Sequence, residues 1–152
     1  MLAAIRPDEI NLPLFVHVLG AAVLVGALLA IAIVTVIARR RTDDEVGPSR
    51  FVLKTLLVGV LPAYIVMRVG AQWLEAKEDY PEDFDPAWLG VGYITADTGA
   101  LLILISVVLS VIGLRKLCAG GGLRLGRIVG TLSVVLLAAY IVAVWAMTAK
   151  PG

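Results

Sequence analysis

Inside the long apolar stretches of this sequence, away from their ends, only His17, Arg68 and Asp97 can carry a charge. An Asp or Arg at the centre of a bilayer costs about 2.5–3.5 kcal/mol on insertion scales, so each needs water or an answering group. Arg68 lies in "LPAYIVMRVGAQWLEAKE", residues 61–78, where Tyr64, Arg68, Gln72 and Glu75 are spaced four, four and three apart. That spacing puts them on one side of a helix. Asp97 belongs to a different stretch, and an Arg68–Asp97 ion pair would lower the cost of both. Tyr64, Gln72 or Tyr140 would complete its hydrogen bonding. Two alternatives stay open. Arg68 has a stem long enough to reach headgroups unaided. In "AWLGVGYITADTG", Gly90 and Gly92 allow an interfacial segment, with Asp97 as the N-cap of a shorter helix. His17, alone on its stretch, reads as a hydrogen-bonded packing residue before it reads as a ligand.

The elements that must position these groups follow from hydropathy. The chain has 152 residues, of which 60% are hydrophobic, and a mean hydropathy of +0.95. Soluble domains are about 45–50% apolar and rarely carry long unbroken apolar runs. Crossing the hydrocarbon core takes about 20 apolar residues. Four stretches qualify, at 12–38, 51–74, 88–114 and 128–148. Their connectors are too short to form a second folded unit. The expectation is an all-α membrane protein in which residues 1–152 form a single four-transmembrane-helix bundle. A β-barrel is excluded, because its strands would alternate polar and apolar positions. The first stretch is too long for a signal-peptide core and ends in "ARRR", a stop-transfer pattern, so it reads as a retained span.

Charge segregation predicts the topology. Arg39, Arg40, Arg41, Arg50 and Lys54 flank the first connector, and Arg115, Lys116, Arg124 and Arg127 flank the third. The middle connector, "EAKEDYPEDFDP", is acidic. Lys and Arg mark cytoplasmic loops, so 39–50 and 115–127 are expected inside a plasma membrane, with 75–87 and both termini outside. Trp73, Trp88 and Trp145 all fall at the expected outer boundary, as an aromatic belt would. At 1.5 Å per residue, Arg68 lies about 9 Å below Leu74, Asp97 about 13 Å in from Trp88, His17 about 7 Å in from Leu12, and Tyr140 about 13 Å below Ala149. The four therefore share the outer half, and the inner half is almost wholly aliphatic. Pro62 cannot donate to the Val58 carbonyl, which predicts a freed backbone acceptor and a kink in the second span.

Several chemistries are unsupported. Cys118 has no intramolecular partner, and the chain has no CxxC or His/Cys cluster, so no metal site is expected. The "EDYPEDFD" run lacks EF-hand spacing and its glycine, and reads as a solvated turn. GxSxG and P-loop motifs are missing, and the basic clusters are explained by topology instead of nucleic acid. Ala22, Gly26 and Ala30, and likewise Ser106 and Ser110, repeat at four-residue spacing. Such stripes let helices approach closely in lipid, either within the bundle or in an oligomer.

"LPLFVHVLGAAVLVGALLAIA", residues 12–32, carries His17, a glycine three positions on and a second glycine at Gly26. It resembles the first helix of small bacterial membrane proteins of unknown function near the copper-resistance D-type and membrane protoporphyrinogen oxidase (HemJ-type) proteins. Residues 61–78 resemble the matching second helix of actinobacterial-type members. In the oxidase relatives a first-helix histidine is associated with haem, and the matching position is His17. The resemblance implies a b-type haem with His17 as axial ligand and Met67 or an open position opposite. The further histidine and aromatic segment expected after the first helix are missing, which speaks against oxidase activity. Met1, Met67 and Met147 form no Met-rich copper motif. Three functions remain. The first is a non-enzymatic accessory or structural subunit, partnered by the bilayer and by another copy or another membrane protein. The others are a haem-binding redox protein and an oligomeric small-solute or ion transporter.

Overall fold

The computed structural model describes residues 8–40, 46–77, 87–121 and 124–149. The acidic run at 78–86, Arg41, the first seven residues and the last three lie outside the described residues, as does the Trp88 side chain. The described chain is almost entirely helical: α1 (Asp8–Ala38), α2 (Val46–Thr55), a π turn (Leu56–Val60), α3 (Leu61–Glu75), α4 (Ala87–Cys118) and α5 (Arg124–Ala149). Continuity of α2, the π turn and α3 yields four helices long and apolar enough to cross a membrane. Each exceeds the stretch expected from hydropathy. Helices continue past the apolar run into flanking charged residues, whose backbone groups are satisfied as well in a helix as by water.

The irregularity expected at Pro62 appears one turn earlier. The Leu61 N–H donates to the Leu56 carbonyl, five residues back, which is the π pattern. At the basic end α4 stops at Cys118 and the chain turns at Gly120, whose φ of +81° suits glycine. There the Gly121 N–H reaches the Lys116 carbonyl at 2.8 Å, closing the last turn.

Two ends are distinguishable by charge. The acidic end holds Glu9, Glu75 and Asp97 with Arg68 and Lys77; the basic end holds Arg39, Arg40, Arg50, Lys54, Arg115, Lys116, Arg124 and Arg127. Toward the basic end the core is closed by Leu24, Leu28, Ile31, Leu56, Val60 and Ile103, all fully buried, with Leu136 and Val129 beside them. Arg39 ties α1 to α5 there, donating to the Thr131 hydroxyl at 3.2 Å.

Contact between α1 and α3 is made through glycine. A Cβ on Gly20 would lie 2.7 Å from Met67 Cα, and one on Gly70 would lie 2.7 Å from His17 Cα. Any side chain at either position would meet backbone. The repeat Ala22–Gly26–Ala30 does not take part: Ala22 and Gly26 are exposed, and a Cβ on Gly26 would meet nothing within 4 Å. On α4 the serine stripe is internal, with Ser106 and Ser110 buried.

Candidate functional site: a charged cleft between two helices

Two helices that pack tightly elsewhere in the bundle but not against each other at the acidic end create the site. α3 is held on α1 by the glycine crossing, and α4 is held on α5, where a Cβ at Gly99 would stand 2.9 Å from Tyr140 Cζ. α3 and α4 therefore meet mainly through side chains. The Tyr64 hydroxyl donates to the Ala96 carbonyl at 3.2 Å. One turn toward the acidic end, Arg68 Nη2 donates to Asp97 Oδ1 at 2.8 Å.

The ion pair expected between the second and third spans is thus present. Asp97 is not an N-cap: α4 begins at Ala87 and runs unbroken through Asp97, so the carboxylate is a mid-helix side chain reaching across to α3. Gly90 and Gly92 do not interrupt the helix. A Cβ on Gly92 would strike the Met147 side chain, so that glycine serves α4–α5 packing.

Tyr93 was not legible as a site residue. The Arg68 guanidinium carbon lies 5.4 Å from the centre of its ring, a cation–π distance. Its hydroxyl faces the Glu75 carboxylate, which brings Glu75 into the same group. Its place four residues before Asp97, on the same side of α4, is the signal that would have found it. Gln72 is exposed on α3 and makes no side-chain hydrogen bond among the described residues.

Tyr140 is buried, 4% exposed, at the inner limit of the cleft, within electrostatic reach of Tyr64 and Arg68. Its hydroxyl has no hydrogen-bond partner among the described residues, nor do those of Ser106 and Ser110. A buried phenol without a partner forfeits its hydration with nothing in exchange.

His17 stands on the other side of α3. Its Nδ1 is 2.9 Å from the Met67 carbonyl oxygen, and the ring acts as the donor because a carbonyl can only accept. His17 and Met67 do not fit the expected pair of axial haem ligands. The α1 and α3 backbones are in contact at this level, so no macrocycle fits between them. The packing role read for a solitary histidine describes this geometry better. Among the described residues no group of three His, Cys, Asp or Glu side chains is placed to hold a metal ion. Cys118 is exposed at the basic end of α4.

Exposure separates the two partners of the ion pair. The Arg68 side chain is 25% exposed and that of Asp97 is 67% exposed. Asp97 also interrupts an apolar stripe on the outer side of α4, with Ile94 at 69% and Leu101 at 59% exposure three and four residues away. The arrangement is a carboxylate half-answered from within the chain, set in a surface that otherwise suits lipid or another helix. No protein-family model, curated protein or solved structure matches the chain.

Proposed function

We propose that this protein is a non-enzymatic accessory subunit of a membrane assembly, crossing the bilayer four times, with the α3–α4 cleft as its recognition site for a partner. In this reading the acidic end faces outward and the basic end lies in the cytoplasm, following the bias of Lys and Arg toward cytoplasmic loops. The observation that carries it is the exposure of Asp97 in the middle of an apolar helix face. A carboxylate presented to hydrocarbon is expensive, and intramembrane charges are retained where they face something polar. A transporter reading fits less well, because beyond Tyr140 and Tyr64 the buried polar side chains among the described residues are the small serines Ser106, Ser110 and Ser133, set among fully buried aliphatic side chains.

Site-specific photo-crosslinking in native membranes tests the proposal. A photoreactive side chain at Ile94 or Leu101 should give one adduct of defined mass with a second polypeptide, and Asp97→Asn should weaken it. The same probe at Val135 on α5, also exposed, should give none. Adducts with lipid alone at all three positions would overturn the reading.

A further inference from the structure

If the α3–α4 face is a docking site, its charge balance specifies what docks. Among the residues at the acidic end whose side chains are described, three are carboxylates, Glu9, Glu75 and Asp97, and two are cations, Arg68 and Lys77. Lys77 is taken by Glu9 at 3.3 Å and Arg68 by Asp97 at 2.8 Å. Among the described side chains, the group of Arg68, Asp97 and Glu75 around Tyr93 therefore carries one negative charge in excess, that of Glu75. The Arg68–Asp97 contact is through a single oxygen, Oδ1, so Asp97 Oδ2 keeps its accepting capacity. Arg68 is committed two ways, to Asp97 and to the Tyr93 ring. The open electrostatic demand at this level is for positive charge.

We propose that the partner is a different membrane protein whose transmembrane helix lies along the Ile94–Asp97–Leu101 stripe of α4 and places one Lys or Arg against Asp97. The apolar flanks supply van der Waals contact for a helix, and the cation completes the carboxylate, fixing depth and register as a single buried polar residue does in a helix pair. The described residues of a second copy of this chain do not satisfy the demand. Its described cations at the acidic end are Arg68 and Lys77, both already paired, and the others stand at the basic end. Two copies brought face to face at Asp97 would oppose carboxylates.

The inference rests on the docking reading above and is tested separately from it. The full chain is reconstituted in phosphatidylcholine vesicles with synthetic leucine-rich transmembrane peptides. Each peptide has one guest residue at the depth of Asp97: Lys, Arg, Gln, Leu or Glu. Association is followed by energy transfer between labels on peptide and protein. The Lys and Arg peptides should associate at least tenfold more tightly than the Leu peptide, with Gln between and Glu weakest. Asp97→Asn should erase the preference for Lys over Leu. Arg68→Gln, which leaves the carboxylate unanswered from within, should strengthen it. Equal association of the Lys and Leu peptides, or tightest association of the Glu peptide, would overturn the inference; Glu winning would make Arg68 the recognising group. If the crosslinked adduct from Ile94 or Leu101 persists in native membranes while the Lys preference fails, the docking reading survives and only the cationic partner is lost.

Discussion

The two halves of the bundle solve the same packing problem by different means. At the basic end the interior is filled by fully buried branched aliphatic side chains, from Leu24 to Leu136, and the glycines there, Gly113 and Gly130, pack mainly against side chains. At the acidic end α1 and α3 touch through glycine, while α3 and α4 are bridged by Tyr64, Arg68 and Asp97. Where side-chain volume fills the space, the buried polar groups are small serines, Ser106, Ser110 and Ser133, and the Arg39–Thr131 bridge stays at the exposed rim. Where volume is missing, long polar side chains span the gap and leave a cleft. The difference suggests that the aliphatic half holds the fold together and that the polar half is free to be specific.

The comparison can be broken by mutation, and the largest effect is expected in the aliphatic half. Leu28→Ala should destabilise by about 2–5 kcal/mol, because it removes fully buried methyl groups and leaves a cavity. A loss below about 1 kcal/mol by denaturation in detergent would mean that this core is not the main support. Gly70→Val should come next, at about 1–3 kcal/mol, since a β-branched side chain must push α3 off the His17 backbone. Gly26→Val on the open face of α1 is the control, expected within about 0.5 kcal/mol of wild type as an ordinary surface change.

Two smaller effects probe the polar half. In a double-mutant cycle, Arg68→Ala and Asp97→Ala should be non-additive by about 0.5–3 kcal/mol, as contacting charges are. Strict additivity would mean that the 2.8 Å contact contributes nothing to stability. Tyr140→Phe should be neutral or slightly stabilising, because it deletes a buried hydroxyl that has no partner among the described residues. A loss of about 1 kcal/mol, the worth of a typical hydrogen bond, would reveal a partner for that hydroxyl.

Much of the polar cleft was legible from cost and depth alone. An Arg and an Asp at matching levels on different apolar stretches pair at lower cost than either alone. The tyrosines expected to complete the pair do not do so: Tyr64 donates to the Ala96 carbonyl and Tyr140 has no partner among the described residues. Tyr93 escaped because a tyrosine near the end of an apolar run looks like part of an aromatic belt, and its role under Arg68 depends on the rotation of α4. Glycine was misleading in the opposite sense. Ala22, Gly26 and Ala30 have the spacing of a packing stripe, yet Ala22 and Gly26 face outward, whereas Gly20 and Gly70, three residues after His17 and Met67, bring α1 and α3 into backbone contact. The π turn left only the trace of Pro62, since a π turn forms where a helix must adjust its register to its neighbours.

What the sequence by itself determined is the set of four apolar lengths, the placing of charge at their ends and the need of Arg68 for either water or a counter-charge. These follow from transfer free energies, which belong to each segment in isolation. The tertiary structure alone decided which face of each helix is inside. A helix that is apolar on every side has no preferred orientation until small residues, hydrogen bonds and side-chain volumes meet those of its neighbours. That choice turned Gly20 and Gly70 inward, left Gly26 outside and set Asp97 on the rim of the cleft with one oxygen unanswered.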